Sequence, residues 1–331
     1  MKRRQFGRLA DGRAVEEIVL ESGHAAVSVL NYGCVVRDWR VDGQRGTVPV
    51  VLGFRGLGDY VQHARSHGVI AGRVANRIAR GRFRIGADEF ELTVNEPPHH
   101  LHGGAVGLQR RVWEMDGDSS AEAVHLRYAS PDGEEGYPGA VEFTVTYRLE
   151  GDRLVCEMSG VPDRPTPINL AQHNYYNLAG AGNVRDHVLR IAAQEYTPVD
   201  AGLIPVGNIV PVARTRFDFT EARSLAEADP EGEGYDINLV LDPARNRDGA
   251  AAEVFCDRTN LKLALTTDQP GLQLFDAAGS DVPVPGHDGA TYGAFSGLCL
   301  EAQHFPDSVN RPDWPAIMAF PEELYFQRLA V

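Results

Sequence analysis

The segment AVEFTVTYRLEGDRLVCEM, residues 140–158, decides the fold class of this chain. Its apolar residues occupy alternate positions, at Val141, Phe143, Val145, Tyr147 and Leu149. This period of two is typical of a β-strand that buries one face. The turn-forming EGDR follows at 150–153, and the alternation then resumes at Leu154, Cys156 and Met158. The segment therefore predicts a β-hairpin.

The same alternation recurs in SVLNYGCVVRDWRV at 28–41 and in LKLAL at 261–265. Helical candidates, such as EARSLAEA at 221–228, are few and short. The 35 glycines and 20 prolines are spread through the chain as turn residues and mark no linker. The sequence therefore predicts an all-β fold, a large single-domain antiparallel β-sandwich that covers residues 1–331.

Composition argues against several classes of partner. A net charge of -14 argues against a nucleic acid, because phosphate binding requires a basic face. No apolar run approaches the roughly 18 residues of a membrane-spanning helix. Arg3 and Arg4 resemble a twin-arginine export signal, but the charged GRLADGRAVEE follows them in place of an apolar segment. We expect a cytoplasmic protein, with the four cysteines unpaired because none belongs to a CxxC pair.

Hydrogen-bonding residues crowd INLAQHNYYNLAG at 168–180, around His173. A strand that serves only packing would carry Val or Ile at such positions. Other polar residues stand at strand ends or turns: Asn76 and Arg77 in GRVANRIARGRF, His102 in HHLHGG, Asp236 in GYDINL, Gln273 in GLQLF and Glu301 in CLEAQHFPDSVN. On that last strand Cys299, Glu301 and Gln303 share one face. A carboxylate midway along an apolar strand indicates a pocket wall or a paired site.

Taken singly, each of these residues has a simpler explanation. His173 could be a hydrogen-bonded structural histidine, and Glu301 or Arg77 could serve only an ion pair. The HHLH at 99–102 suggests a metal site. However, no glutamate follows at the spacing of a cupin and HExxH is absent, so we predict no metal.

Taken in order, the motifs resemble the aldose 1-epimerases, or galactose mutarotases. They are GRVANRIARGRF, LHGG, RRVWEM, GEEGYPG, NLAQHNYYNLAG, YTPVDAGLIPVG, GYDINLVL and CLEAQHFPDSVN. LHGG and GYPG are weak signals alone, whereas YTPVD..LIP and CLE.Q..PD..N are specific. The resemblance extends from about Phe6 to the C-terminus and implies an antiparallel β-sandwich of curved sheets.

The resemblance also implies roles for single residues. The family's catalytic base falls on Glu301 and its acid on His173, while its sugar-binding groups fall on Asn76, Arg77, His102, Asp236 and Gln273. Interconversion of α and β anomers takes a proton from the C1 hydroxyl and adds one to the ring oxygen, which a carboxylate and an imidazolium can do without a cofactor. We expect nearby carboxylates to keep His173 protonated, and the amides and tyrosines around it to position a free aldose such as galactose or glucose. We expect a monomer or a homodimer.

Three departures from the family pattern affect the neighbours of these residues. Ile237 replaces the usual histidine after Asp236, Gln172 replaces asparagine before His173, and Asn174 replaces a small hydroxyl residue after it. We expect position 237 to influence which sugars are preferred.

Other functions remain open at this point. A hexose-6-phosphate 1-epimerase would need a cluster of cations, and a carbohydrate-binding β-sandwich without activity would not need the acid and base. A glycosidase would need two carboxylates, for which Glu301 has Asp236 as its obvious companion.

Overall fold

A computed structural model describes residues 2–44, 46–118 and 122–331. Over these ranges the chain forms 27 strands. The first ten are β1 (Lys2–Arg8), β2 (Ala14–Glu21), β3 (Ala25–Leu30), β4 (Val36–Gly43), β5 (Gly46–Pro49), β6 (Ile70–Ala71), β7 (Arg77–Ile78), β8 (Arg82–Ile85), β9 (Asp88–Glu91) and β10 (His100–Leu101). The next ten are β11 (Glu114–Asp118), β12 (Ala123–Ser130), β13 (Val141–Glu150), β14 (Arg153–Pro162), β15 (Thr166–Pro167), β16 (Ala171–Gln172), β17 (Val188–Ile191), β18 (Ala193–Thr197), β19 (Val210–Pro211) and β20 (Arg223–Ser224). The last seven are β21 (Asp236–Leu241), β22 (Ala252–Cys256), β23 (Leu261–Thr267), β24 (Gly271–Phe275), β25 (Cys299–Gln303), β26 (Met318–Ala319) and β27 (Tyr325–Ala330).

Helices are short and few in the same ranges. The α-helices are α1 (Leu57–Gln62) and α2 (Leu225–Ala228). The 3₁₀ turns are Ala79–Gly81, Leu108–Arg110, Glu134–Gly136, His287–Gly289 and Ser308–Asn310. No helix in the described part of the chain is long and apolar enough to cross a membrane.

The predicted hairpin is formed by β13 and β14, which pair antiparallel from Val141 opposite Pro162 to Glu150 opposite Arg153. It lies within a nine-stranded sheet of order β11-β12-β13-β14-β27-β23-β22-β17-β20. The alternating apolar residues of β13 are all buried, as the sequence pattern predicts. This hairpin prediction is confirmed.

Two five-stranded sheets and four two-stranded sheets complete the architecture in the described ranges. The N-terminal sheet has the order β1-β2-β3-β4-β5, and the second has the order β19-β18-β21-β24-β25. One continuous core contains residues from the nine-stranded sheet and both five-stranded sheets, for example Val27, Phe143 and Leu274. The predicted all-β sandwich is confirmed. The sheet β19-β18-β21-β24-β25 carries the polar residues described below and is called the site sheet.

Two local predictions were wrong in part. SVLNYGCVVRDWRV forms two strands, because the chain turns at Gly33 and Cys34, which have φ values of 65° and 54°. A Cβ at Gly33 would lie 2.3 Å from the carbonyl oxygen of Gln109, so the turn requires glycine. In EARSLAEA only residues 225–228 are helical, because Ser224 caps the helix and forms a capping box with Glu227.

All four cysteines are buried and unpaired. This agrees with the expectation drawn from their spacing. They are Cys34, Cys156, Cys256 and Cys299.

Candidate active site

A polar row crosses four strands of the site sheet. Thr197 lies opposite Asn238, Asn238 opposite Gln273, and Gln273 opposite Glu301. Residues that lie directly opposite in antiparallel strands point to the same face. The alternate residues of these strands, such as Leu300, are in the core. The predicted alternation along β25 therefore places Glu301 on the face away from the core.

Three oxygens of this row are buried and have no hydrogen-bond partner among the described residues. They are Oδ1 of Asn238, Oε1 of Gln273 and Oε2 of Glu301. A buried acceptor without a donor costs free energy unless a ligand or water satisfies it. The row is therefore a set of acceptors suited to hydroxyl groups. The sequence analysis missed Asn238, although it lies two residues from Asp236 and so shares its face.

Asp236 begins β21 on this same face. Its Oδ1 accepts a hydrogen bond from Nε2 of Gln273 at 2.6 Å, and its Oδ2 lies 3.5 Å from Nη1 of Arg77. Burial raises the pKa of Asp236, while the contacts with Arg77 and Gln273 oppose that shift and favour the carboxylate. Ile237 points the other way and is buried in the core. The structure therefore gives Ile237 no contact through which it would hold the Asp236 carboxylate.

Arg77 has a second carboxylate partner that the sequence analysis missed. Its Nε donates to Oε2 of Glu96 at 2.6 Å, and its Nη2 donates to Oε1 of Glu96 at 2.9 Å. This bidentate pairing fixes the plane of the guanidinium. Glu96 lies six residues before His102 in the same stretch of sequence, but nothing in its pattern marks it as a partner of Arg77.

Asn76 and His102 hold each other in place. Both have positive φ, at 59° and 51°, a conformation that is uncommon outside glycine and is found at functional sites. The N–H of His102 donates to the carbonyl of Asn76 at 3.0 Å, and the N–H of Asn76 donates to Nδ1 of His102 at 3.1 Å. Because Nδ1 accepts, the proton of the neutral ring is on Nε2. Burial lowers the pKa of His102 well below 6.5, so the ring is neutral.

The backbone N–H and carbonyl of His173 both form hydrogen bonds with the backbone of residues 68–69. Its N–H donates to the carbonyl of Val69, and its own carbonyl accepts from the N–H of Gly68, both at 2.9 Å. The ring stacks on Tyr175 with the centroids 5.0 Å apart. Its Nε2 lies 3.3 Å from Oε1 of Glu301. The structure thus brings together the two residues to which the sequence analysis gave the acid and base roles.

Burial shifts the pKa values of this pair in opposite directions. The pKa of His173 falls to about 4 because burial disfavours the imidazolium. The pKa of Glu301 rises well above 4.5 because of burial, with a smaller contribution from the charge of Asp236. The expectation that carboxylates keep His173 protonated is therefore not supported, because desolvation outweighs attraction. Burial instead favours the state in which the pair holds one proton and both groups are uncharged. In that state the carboxyl group of Glu301 is protonated and the ring of His173 is neutral.

The polar neighbours of His173 do not all face the site. Asn174 donates from Nδ2 to the hydroxyl of Tyr176 at 3.2 Å, and the ring of Tyr176 lies edge-on to Trp39 in the core. Asn177 donates to the carbonyl of Ser296 at 2.9 Å. These contacts fix the segment that follows β16 and carries His173. Tyr175 packs against the His173 ring, and the expectation that the amides and tyrosines around His173 position a sugar stays a prediction.

The side chains of His102, His173 and Glu301 offer ligand atoms that all lie within 4.8 Å of one another. The chemistry of this donor set does not fit a metal ion. Metal-binding nitrogens must be unprotonated, and Nε2 of His102 carries the proton because Nδ1 accepts from Asn76. In HHLH, His100 is also engaged, with Nδ1 bonded to the carbonyl of Thr93 at 2.6 Å and Nε2 to the hydroxyl of Tyr137 at 2.8 Å.

The chain is similar to several known proteins in sequence and in fold. The sequence model of the family described as aldose 1-epimerase matches residues 16–331. The chain is 40% identical to galactose mutarotase from Mus musculus over 331 residues, covering 97% of this chain and 94% of that protein. It is 32% identical to aldose 1-epimerase from Escherichia coli K12 over 316 residues, covering 92% and 90%. Among solved structures, an aldose epimerase homologue from C. elegans superimposes with a TM-score of 0.89 at 27% identity, covering 95% of this chain and 97% of the other. Galactose 1-epimerase from Lactobacillus acidophilus gives a TM-score of 0.86 at 26% identity, covering 99% and 97%.

Proposed function

The chain belongs to the aldose 1-epimerase family and interconverts the α and β anomers of an aldose, and on this premise we propose that Glu301 is the base and His173 the acid. The observation that carries the assignment is the 3.3 Å contact between Oε1 of Glu301 and Nε2 of His173. The two oxygens that exchange protons in the reaction are both bonded to C1. An acid and a base this close together can reach both of them in one bound sugar.

The proposed reaction begins from the tautomer with Glu301 as carboxylate and His173 as imidazolium. Glu301 removes the proton of the C1 hydroxyl, C1 becomes a carbonyl, the bond from C1 to the ring oxygen breaks, and the ring oxygen takes the proton from His173. Rotation about C1–C2 presents the other carbonyl face. Closure returns the ring proton to His173 and the Glu301 proton to the new C1 hydroxyl.

The pair keeps one proton in total throughout this cycle. Before ring opening that proton is on His173, and after it the proton is on Glu301. Burial makes the charged tautomer costly, so polar groups of the site must stabilise it. The Nε2–H of His102 and the guanidinium of Arg77 are the donors we propose for that role.

We propose that Asn76, Arg77, His102, Asp236 and Gln273 bind the sugar, and that the acceptor oxygens of Gln273 and Asn238 receive its hydroxyls. The relatives named galactose mutarotase support galactose as a substrate, with glucose as a second candidate. The alternative of a hexose-6-phosphate is less well supported, because Arg77 is already engaged by two carboxylates, Glu96 and Asp236. A binding module without activity would not require a buried acid–base contact.

Polarimetry of freshly dissolved α-D-galactose and α-D-glucose tests the function. The enzyme should accelerate the approach to the equilibrium rotation for galactose. Glu301→Gln should abolish most of the acceleration, while Glu253→Gln, a surface carboxylate paired with Lys262 and Arg190, should leave it unchanged. An active Glu301→Gln enzyme would contradict the assignment, and Asp236 would become the candidate base.

We also propose that residues 1–331 act as one domain, as a monomer or homodimer, on a small sugar and without a nucleic-acid partner. The four buried, unpaired thiols support a reducing compartment such as the cytoplasm.

A further inference from the structure

We infer that Glu96 determines specificity in this site, by neutralising Arg77 so that the enzyme prefers uncharged aldoses to aldoses that carry a carboxylate or phosphate. The inference rests on the proposed aldose site and concerns which class of sugar that site accepts. It assigns a role to a residue outside the acid–base pair.

Contacts place Glu96 at the outer end of a continuous chain of polar groups. Both oxygens of Glu96 accept from Arg77, at 2.6 and 2.9 Å. The remaining nitrogen of Arg77, Nη1, lies 3.5 Å from Asp236, and Asp236 accepts from Gln273 at 2.6 Å. Gln273 lies directly opposite Glu301 in the site sheet. The charge on Glu96 is therefore coupled to the reacting groups through three side-chain contacts and one strand pairing.

The two carboxylates that flank Arg77 are more exposed than Arg77 itself and than Glu301 at the floor of the site. The side chains of Glu301 and Arg77 are 3% and 9% exposed, whereas those of Asp236 and Glu96 are 28% and 40% exposed. Glu96 thus stands where the chain of contacts reaches solvent. A sugar that enters from this side meets the field of Glu96 before it meets Arg77.

The charges of these groups do not balance. Arg77 contributes one positive charge, and Glu96 and Asp236 contribute two negative ones, so the three groups together are negative. Nε and Nη2 of Arg77 donate to Glu96, and Nη1 lies 3.5 Å from Asp236, so carboxylates already outweigh the positive charge of Arg77. A carboxylate or phosphate on the substrate would be repelled, and the repulsion is strong in a partly buried site.

The test compares three sugars of the D series: galactose, its C6 carboxylate galacturonate, and the neutral 6-deoxygalactose, D-fucose. Fucose controls for loss of the C6 hydroxyl without adding charge. We expect the wild-type enzyme to have a kcat/KM for galacturonate at least about tenfold below that for galactose. Glu96→Gln, which keeps the size but not the charge, should raise the galacturonate-to-galactose ratio by roughly threefold to tenfold and leave the fucose-to-galactose ratio unchanged.

Ratios between sugars separate this effect from general damage, since a structural defect lowers all three rates together. Glu21→Gln is the matched control, because it removes an exposed carboxylate paired with Lys2 in the N-terminal sheet. Its sugar ratios should equal those of the wild type. The salt dependence of the wild-type enzyme tests the same point without a variant. Raising sodium chloride from about 20 mM to about 500 mM should raise its galacturonate-to-galactose ratio of kcat/KM, because salt screens the repulsion.

Two outcomes overturn the inference while the proposed function stands. One is a wild-type enzyme that handles galacturonate as well as galactose. The other is a galacturonate-to-galactose ratio of kcat/KM that changes neither in Glu96→Gln nor with salt. This outcome includes the case in which neither the wild type nor the variant acts on galacturonate. If Glu96→Gln does not fold, the salt series on the wild type decides. Failure on galactose itself would instead overturn the proposed substrate.

Discussion

The backbone N–H of Asn76 donates to Nδ1 of His102 across 3.1 Å, so the main chain selects the tautomer of this imidazole. A backbone N–H can only donate, and it therefore leaves Nε2 as the protonated nitrogen. His102 also lies edge-on to His173, with ring centroids 5.3 Å apart. In the proposed mechanism the site thus contains two histidines with different roles: one is a fixed neutral donor, and the other exchanges its proton.

The first prediction concerns this donor. His102→Phe removes the Nε2–H and should raise KM for galactose about fivefold to tenfold, the effect of one lost hydrogen bond of ordinary strength. His102→Gln places an amide N–H near the same point and should recover part of that loss. Initial rates by polarimetry at several galactose concentrations measure both variants. Equal KM values for the Phe variant and the wild type would show that His102 does not contact the sugar.

The second prediction concerns the acid–base pair. Glu301→Gln and His173→Asn should each lower kcat by at least about a hundredfold with little change in KM, because general acid–base groups typically contribute 10²–10⁴-fold. Both residues act in one proton cycle, so the double variant should be far less impaired than the product of the single effects. Fully multiplicative losses would mean that the two groups act independently.

The third prediction is the pH dependence of kcat. The wild-type profile should be bell-shaped, with its acid limb near pH 4, where a second proton binds to the pair because the pKa of His173 is lowered to about 4. The alkaline limb reports loss of the last proton of the pair, held above the ordinary glutamate range by burial of Glu301. His173→Asn should lose the alkaline limb, because the remaining Glu301 acts as a carboxylate and stays active as the pH rises. Glu301→Gln should lose the acid limb, because the remaining His173 acts as an imidazolium and stays active as the pH falls. Rates are corrected for spontaneous mutarotation, and His24→Asn, at an exposed histidine, should retain both limbs.

The fourth prediction is that activity does not depend on a metal. The tautomer of His102 removes the nitrogen that a tetrahedral zinc site would need. Dialysis against EDTA should leave the full rate of galactose mutarotation, and added zinc should not increase it. Loss of activity that only a divalent ion restores would contradict both this prediction and the assignment of the His102 tautomer.

The fifth prediction concerns position 237. Ile237 lies in the core among residues such as Leu239 and Leu274, so Ile237→His would bury an imidazole without an assigned partner. We expect the variant to lose about 2–4 kcal/mol of unfolding free energy, against about 0.5–1.5 kcal/mol for Ile237→Val. Thermal unfolding measures both. A variant of unchanged Tm with a new order of preference among galactose, glucose and arabinose would restore the original expectation for this position.

Alternation along the strands predicts much of this site correctly. It places Glu301 opposite in direction to Leu300 and Ala302, and the structure shows the same. Applied to β21, the same rule indicates that Ile237 and Asp236 face opposite sides. The resemblance to a family led the sequence analysis to treat them as cooperating neighbours, although the pattern argued against it.

Other features depend on approaches between distant segments, which a linear pattern does not reveal. Glu96 pairs with Arg77 in β7 across 19 residues of sequence, and the tautomer of His102 depends on a backbone group 26 residues away. The protonation of His173 depends on how completely the surrounding sheets exclude water. A local pattern gives the residue types of the site, but the proton positions require the assembled fold.

The polar row from Thr197 to Glu301 has a consequence for how this enzyme can change over evolutionary time. Insertion or deletion of one residue in β24 would turn Gln273 toward the core and bring a leucine to the site, because strand residues alternate in direction. Strand length in the site sheet is therefore restricted as tightly as residue identity. Lineages that acquire new sugars are expected to do so by altering the loops around the sheet, such as the one that carries Glu96, while the number of residues between the members of the row stays the same.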